Sequence, residues 1–462
     1  MNRNLRKWMF FLLAAVVALV AGCQAVGDVD LNKTLISSLD AGSYQARGSL
    51  SMQVQLDPSA LEELDDRDKA LAVLFSDLQV NLTDIKVQDP NNMSAKGDFR
   101  FAKGSIPFHI VLSDQMLTIW PEGAKQPFRI DLLGLDEARS PELEAKVREL
   151  QQQLAEKSVD LQKQLLGFVV KHLPNPKNIS VERVTLPING ESLRLNKVHA
   201  EIYASDLPGL AKTFLTGVAE DDEGLKALIS SVYDYLVPIM LEFAPSDADG
   251  EYAMFLEDKE FAVNMGRMII KKMLNDALAD FDTEMAKMDK SLLTDDNYLK
   301  VDLYADDRLQ IRKSGVELVI NAGKTAGKPA GKPAIKISTD NEMWNVGKRV
   351  AIDKLPDTGY VIDSRTQSWE VLNNLDPKSL LYDVLKNDLQ ITRKEIMFLI
   401  LEDGEVVTPD LDLFSQPYLQ GEGTIMVPEE FVTGELNAVS SWNWETRQYA
   451  VVKRSTGDKI VF

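Results

Sequence analysis

The chain has 462 residues, and its 45% hydrophobic and 26% charged residues are typical of a globular protein. It carries 51 Lys and Arg residues against 71 Asp and Glu residues, which gives a formal net charge of −20. An acidic surface of this kind repels phosphate backbones and anionic lipid headgroups, so neither nucleic acid nor an anionic lipid surface is expected as a partner through overall charge alone. The single cysteine excludes an internal disulfide framework, and the length predicts about two to four domains.

The N-terminus has the composition of a secretory signal. It begins "MNRNLRKW", with three basic residues and no acidic residue before Cys23, and continues as an apolar run from Trp8 to Ala21. Such a run is shorter than a typical membrane span. It ends in "VAGC", which resembles the lipobox of bacterial lipoprotein precursors. The resemblance implies cleavage between Gly22 and Cys23 and attachment of a diacylglyceryl group to the Cys23 thiol.

A lipidated Cys23 determines the predicted location. Two acyl chains hold a protein on a bilayer, whereas one chain holds it only marginally, because each buried methylene contributes about 0.8 kcal/mol. We therefore expect a lipoprotein on the outer face of the cell membrane of a monoderm bacterium, with the membrane as its partner. Loss of residues 1–22 would remove three positive charges and lower the net charge from −20 to −23. The alternative is an ordinary secretory signal in which the cysteine is incidental.

Period-two patterning begins at Gly42, after a short tether. The stretch "SYQARGSLSMQVQL" places Leu50, Met52 and Val54 on one face, as expected for a half-buried strand. Similar strands follow the helical insert "PSALEELDDRDKALAVLFSDL". A long helix is then predicted from about residue 141 to residue 173, where two prolines follow.

A second block repeats this order of elements. Two predicted strands lead into helical stretches at 207–243 and 255–293, and three more strands close the block. The pattern favours an α+β fold class with a curved antiparallel β-sheet covered by amphipathic helices. This arrangement is similar to the half-barrel of bacterial lipoprotein carriers and of mycobacterial surface lipoproteins.

The stretch "NAGKTAGKPAGKPA", residues 321–334, is of low complexity. It has almost no apolar side chains to bury, so we expect a long flexible hairpin loop, with a domain linker as the alternative. Its lysines are a candidate contact for an anionic cell-wall polymer.

The C-terminal residues 397–462 resemble the copper amine oxidase N-terminal-like domain, a small extracellular α+β module. The features that match are an apolar strand pair, a glycine-containing turn, "MVPEEFV", and "VSSWNWETRQYAVV" before a last strand. Members of that family carry basic residues where this chain has Gly423 and Glu430, which affects ligand contacts more than the fold. Phe431, Trp442 and Trp444 are predicted to lie in the core of this module.

The predicted organisation follows from these segments. In chain order they are a signal peptide (1–22), a lipidated tether (23–41), an α+β body (42–345) and a small C-terminal α+β module (353–462).

Catalytic motifs are missing from the sequence. Its three histidines, His109, His172 and His199, fall on three different predicted elements and lack the close pairing of a copper site. Leu299 follows Tyr298 where a quinone-forming motif needs an acidic residue. The acidic loop at 244–257 resembles a calcium-binding loop, but Pro245 stands at its first ligand position, where an acidic side chain is needed. We therefore expect a solvated turn there. We therefore expect no enzyme activity, no cofactor and no metal.

Two functions remain open. One is a non-catalytic surface scaffold or interaction module of the cell envelope, with a cell-wall polymer, a lipid or a protein as partner. The other is a carrier or binder of a lipid or other apolar ligand, enclosed by the two long helical stretches. For the carrier, the predicted apolar contacts are Val232, Leu236, Met240, Met268 and Ile269. The same residues could form an ordinary core.

Overall fold

The computed structural model describes most of the body and shorter stretches of the C-terminal region. The described residues are 30–39, 41–56, 61–62, 64–113, 115–132, 157–158, 160–243, 258–288, 290, 293–321, 335–362, 366, 368–391, 401–402, 405–406, 417–420, 424–429, 431–435, 438–444, 446–453 and 459–461. The predicted signal peptide, Gly22 and Cys23 lie outside them, as do the acidic loop at 244–257 and nearly all of the lysine-containing loop. Two compact units divide the chain: Met1–Glu122 with Pro127–Asp363, and Gly123–Gln126 with Ser364–Phe462.

One large sheet dominates the first unit. Its twelve described strands are β1 Tyr44–Val54, β2 Asp77–Asp89, β3 Asn92–Phe101, β4 Gly104–Ser113, β5 Met116–Pro121, β6 Phe128–Asp131, β7 Asn178–Ile188, β8 Glu191–Tyr203, β9 Tyr298–Ala305, β10 Ile311–Ile320, β11 Ile335–Trp344 and β12 Tyr360–Ile362. They lie in the order β12-β6-β5-β4-β3-β2-β1-β11-β10-β9-β8-β7. The sheet is open, with β12 and β7 at its edges. All neighbours are antiparallel except β12 and β6, which are parallel.

Strand β1 joins two antiparallel blocks. It pairs with β2 on one side, where Leu50 lies opposite Val80, and with β11 on the other, where Leu50 lies opposite Thr339. The β1–β6 block and the β7–β11 block therefore share one sheet. The predicted α+β class with a mostly antiparallel sheet and several helices is confirmed.

Helices of the first unit are α1 Leu31–Leu39, α2 Asp66–Leu74, α3 Leu207–Glu220, α4 Asp222–Phe243 and α5 Lys259–Ala286. Residues 160–172 are also helical. Local signals explain several of the starts. The Asp65 carboxylate accepts the Asp68 N–H at the start of α2, and the Asp258 carboxylate accepts the Phe261 N–H at the start of α5.

The sheet has one apolar and one polar face, because side chains in register on paired strands project to the same side. One apolar row crosses eight strands, from β8 through β9, β10, β11, β1, β2 and β3 to β4: Ala200, Val301, Val316, Thr339, Leu50, Val80, Phe99 and Ile106. The row beside it on the opposite face crosses the same strands: Glu201, Lys300, Glu317, Ser338, Ser51, Gln79, Arg100 and Ser105.

The second unit contains short elements. They are a 3-10 helix Ser368–Asn374, α6 Leu380–Asp383, π-helical turns Val384–Asp388 and Phe431–Glu435, and strands β13 Leu401–Glu402, β14 Glu405–Val406, β15 Tyr418–Gln420, β16 Thr424–Met426, β17 Ala438–Asn443, β18 Gln448–Lys453 and β19 Lys459–Val461. Asn374 is buried and exchanges two hydrogen bonds with the backbone of Gln126. The predicted start of this module at residue 353 lies within the first unit.

Two of the predicted core aromatics of the C-terminal module are exposed. Phe431 is buried as predicted, but Trp444 is 85% exposed and stacks edge-on against the exposed Trp442. Trp442 lies on β17 opposite Tyr449, and Trp444 follows the strand in a turn. The prediction that both tryptophans lie in the core is wrong, because aromatic residues near a hairpin end can project into solvent.

Candidate functional site

Helices cover one end of the apolar face. On β8 and β9, Ile202 is 2% exposed and Leu299 is 4% exposed, and both pack against Leu207 and Leu210 of α3. A second buried cluster joins Leu31 of α1 to Val198 of β8. This end of the sheet is an ordinary hydrophobic core.

The middle of the same face is more open. Leu50 on β1 is 44% exposed, although it lies in the apolar row between Val80 and Thr339. Val80, Thr339 and Phe99 are only partly buried. A strand in the centre of a large sheet normally has its apolar face covered, so this area is apolar surface that a ligand or partner could bury.

Two backbone irregularities lie beside this area. The pairing of β1 with β2 shifts between Ala46 and Gly48, and the pairing of β2 with β3 shifts between Leu82 and Asp84. Irregularities of this kind bend a strand and increase its local twist.

The predicted apolar contacts divide between two antiparallel helices. Val232, Leu236 and Met240 lie on α4, whereas Met268 and Ile269 lie on α5. All except Val232 are exposed.

Ion pairs between α4 and α5 show which turns of the two helices lie side by side. Asp222 binds Arg267 and Lys271, while Asp234 binds Lys259. Met268 and Ile269 of α5 therefore lie near Asp222 of α4. Met240 is eighteen residues further along α4, which is about 27 Å at a rise of 1.5 Å per residue. The structure does not bring Met240 together with Met268 and Ile269.

Two hollows lie along these helices. One, of about 650 Å³, runs beside α5 and is lined in the described part of the chain by Phe261, Asn264, Met265, Arg267, Met268, Lys271, Lys272, Asn275 and Asp276. The other, of about 480 Å³, lies between residues 157–164 and α4 and includes Tyr233 and Tyr235. Both are open to solvent, and the second is mainly polar in its side chains.

The polar face carries His199 between two carboxylates. Its Nδ1 lies 2.9 Å from Asp302 Oδ1, and its Nε2 lies 3.4 Å from Glu201 Oε1. Hydrogen bonds from Tyr203 and Lys300 lower the pKa of Glu201 to about 2. These residues form a cross-strand charge network on a partly exposed surface.

Ser180, His199 and Asp302 lie in register on β7, β8 and β9. A nucleophilic serine needs a hydrogen bond to the histidine that removes its proton. Among the described contacts, His199 bonds to Asp302 and approaches Glu201, and no hydrogen bond joins it to Ser180. The row has the residue types of a triad without the contact that activates the nucleophile.

Asp353 forms a second charged cluster on this face. Its carboxylate receives Lys86 Nζ at 2.6 Å and Lys96 Nζ at 2.7 Å, which lower its pKa to about 2. The Asp353 N–H donates to the buried Ser94 Oγ. His109 Nε2 is 3.5 Å from the carboxylate, and burial, assisted by the charge of Lys96, lowers the pKa of His109. The cluster holds Asp353 against β2, β3 and β4.

His172 belongs to a third cluster, at the start of α4. Asp221 accepts the Gly224 N–H, which caps the helix, and also binds Lys171 and His172 Nε2 at 2.6 and 2.8 Å. The bond from Lys171 is the main reason that the pKa of Asp221 falls to about 2. The three histidines thus sit in three separate carboxylate clusters.

Sequence reasoning missed the Asp353 and Asp221 clusters. Asp353 is 267 positions from Lys86 and Asp221 is 49 from His172. Only the helix-start position of Asp221 gave a local signal.

The described residues offer neither a metal site nor a membrane-spanning helix. They contain no group of three or more His, Cys, Asp or Glu side chains placed to hold a metal ion. Nor does any helix among them have the length and apolarity to cross a bilayer. No family model matches the chain, and no curated protein matches it.

Proposed function

We propose that this protein is a non-catalytic lipoprotein, anchored through Cys23 to the outer face of the bacterial cell membrane, whose body binds an apolar ligand. The binding surface is the open middle of the apolar face, around Leu50. The observation that carries the proposal is the 44% exposure of Leu50 at the centre of an otherwise apolar row. An acyl chain or similar molecule would bury this surface at about 25 cal/mol per Å² of apolar area.

The surroundings of Leu50 define the ligand chemistry. Its in-register neighbours are Val80, Thr339 and, one strand further, Phe99. The row offers one hydroxyl and no charge, so it favours a ligand portion without charged groups. The bulges at Ala46/Gly48 and Leu82/Asp84 support a curved, half-barrel-like sheet that would wrap such a ligand.

The C-terminal unit has a separate role in this proposal. We infer a copper amine oxidase N-terminal-like module that serves as a stalk or packing domain. The two-stranded sheet β15–β16 and the three-stranded sheet β17–β18–β19 are compatible with such a small module.

A pair of matched variants tests ligand binding. Leu50→Lys introduces a charge into the open apolar area, whereas Val73→Lys introduces the same charge at a somewhat more exposed apolar position on α2. We expect Leu50→Lys to weaken binding of a fluorescent fatty acid at least tenfold and Val73→Lys to leave it unchanged. Equal binding by both variants and the wild type would contradict the proposal.

Two further measurements test the anchor and the native ligand. Mass spectrometry of solvent extracts from the purified protein should show a co-purifying lipid that is reduced in Leu50→Lys. Cys23→Ser should release the protein into the medium or leave the signal uncleaved. A processed Cys23→Ser protein that stays on the membrane would refute the anchor.

A further inference from the structure

The middle of α5 is exposed around most of its circumference. Four apolar side chains within about two turns of the helix face solvent there: Met268, Ile269, Ile270 and Met273, with Met268 57% and Met273 65% exposed. The two ends of α5 are packed, since Val263 and Phe281 are buried. Only the central turns of the helix therefore present this apolar surface.

The same turns carry positive charge in an acidic protein. From residue 261 to residue 275 the sequence "FAVNMGRMIIKKMLN" contains three cations, Arg267, Lys271 and Lys272, and no acidic residue. The whole chain has 71 acidic residues and a net charge of −20. We call Met268, Ile269, Ile270 and Met273, together with these three cations, the α5 patch.

Acidic neighbours reduce the charge of the α5 patch without cancelling it. Arg267 and Lys271 both bind Asp222. Lys272 pairs with Asp276, and both of these side chains are exposed. Three cations against two carboxylates leave one net positive charge. Such exposed pairs are weak and can exchange partners. Charges elsewhere on the protein are screened beyond about 8 Å at physiological ionic strength, so the local balance decides what the patch attracts.

One polar atom of the patch has no partner. Arg267 Nε is buried and makes no hydrogen bond within the described structure, while its Nη1 donates to Asp222. Arg267 lines the 650 Å³ hollow together with Met265 and Met268. The hollow thus combines a cationic donor with thioether and aromatic surface, the combination that a phospholipid headgroup and the upper part of its acyl chain require.

We infer that the α5 patch lies on the surface of an anionic phospholipid bilayer, with its apolar side chains at the headgroup boundary and its cations on the phosphates. Charge complementarity favours this occupant, because the α5 patch keeps one net positive charge beside Asp222 and Asp276 in an acidic chain. An interfacial helix typically presents this combination of apolar and Lys or Arg side chains. The inference rests on the membrane location proposed above.

The test uses the mature chain without its lipid, residues 24–462, so that the anchor cannot hold it on a membrane. Co-sedimentation is measured with vesicles of phosphatidylcholine alone and of phosphatidylcholine mixed equally with phosphatidylglycerol. We expect binding to the mixed vesicles that is at least tenfold stronger than to phosphatidylcholine alone. The double variant Met268→Glu/Met273→Glu should lose at least tenfold in binding, whereas Val73→Glu, at another exposed apolar site, should bind as the wild type does.

A variant that removes charge separates the contribution of the lysines from that of the apolar side chains. Lys271→Gln/Lys272→Gln should weaken binding to the mixed vesicles severalfold and reduce its salt dependence, because the apolar side chains remain. All substituted positions are exposed or at the patch edge, so unchanged thermal unfolding should accompany each loss. A loss of binding with a lower melting temperature would be checked with Met268→Gln/Met273→Gln, which should show an intermediate loss without unfolding.

Several results would overturn the inference. Equal vesicle binding by Met268→Glu/Met273→Glu and Val73→Glu would do so. Self-association that the double variant abolishes, without vesicle binding, would identify a contact between two copies instead. Binding of dispersed short-chain phosphatidylglycerol without binding of vesicles would identify a site for single amphiphiles. Fatty-acid binding at Leu50 is measured separately, so failure of the α5 patch and failure of the proposed function give different results.

Discussion

Two regions of one apolar face differ in how they are covered. On β8 and β9, Ile202 and Leu299 are buried under α3, whereas on β1 Leu50 is 44% exposed. Both regions have the same strand alternation and the same kind of side chains. The alternation therefore determines which face is apolar, and the packing of distant helices determines how much of that face is core.

The largest expected difference between the two regions is in stability. Leu299→Ala removes a buried side chain and leaves a cavity, so we expect the free energy of unfolding to fall by about 2–5 kcal/mol. Leu50→Ala removes a half-exposed side chain and should cost less than about 1 kcal/mol. Urea unfolding of both variants, followed by circular dichroism, measures the difference.

Similar losses in the two variants would break the comparison. If Leu50→Ala also cost several kcal/mol, Leu50 would be covered in solution, and the open apolar area would be part of the core. Unchanged m-values are needed for the two losses to be compared as stability changes.

The polar face offers the same contrast between covered and open residues. Asp353 is held against β2 and β3 by Lys86 and Lys96, and its side chain is 21% exposed, whereas the side chain of Asp340, which pairs with Lys313, is 59% exposed. Asp353→Asn should cost about 1–3 kcal/mol near pH 7, because it weakens two charged hydrogen bonds. Asp340→Asn should cost less than about 1 kcal/mol.

The pH dependence of Asp353→Asn sharpens this prediction. The pKa of Asp353 is lowered to about 2 in the folded protein, below the value of about 3.9 in an unfolded chain. The ionised carboxylate therefore stabilises the fold above about pH 4, and this contribution is lost as the pH falls toward 2. The stability difference between the wild type and Asp353→Asn should shrink over that range. A difference that stays constant would show that the charge of Asp353 is not its cause.

The sequence predicted the elements of the sheet better than their contacts. Period-two alternation identified β1 and the face on which Leu50 lies, and Pro174 and Pro176 follow the end of the helix at residues 160–172. These signals are local, because the hydrophobic periodicity of a strand or helix is contained in its own segment of the sequence. The pairing of β1 with β11 joins residues nearly 300 positions apart and had no sequence signal.

The candidate sites were less predictable for the same reason. The sequence predicts Met268 and Ile269 as contacts of an enclosed apolar ligand, with an ordinary core as the alternative, yet both are exposed in the middle of α5. Exposure depends on which elements pack against a helix, and a single sequence does not contain that information. Trp444 is predicted to lie in a core because it is aromatic, but it is exposed. Its exposure likewise depends on which elements pack around it.

Leu50→Lys is also expected to change stability only slightly, and it tests the comparison most directly. A lysine on β1 can extend its aliphatic stem along Val80 and place its ammonium group in water, because the area above Leu50 is open. We expect the free energy of unfolding to change by less than about 1 kcal/mol, in the range of ordinary surface substitutions. Leu299→Lys is the matched control, since a lysine in that buried position has no access to solvent and should prevent stable folding. Thermal unfolding of the two variants measures the contrast. If Leu50→Lys were as disruptive as Leu299→Lys, the middle of the apolar face would be closed in solution, and an apolar ligand could not bind there without displacing part of the fold.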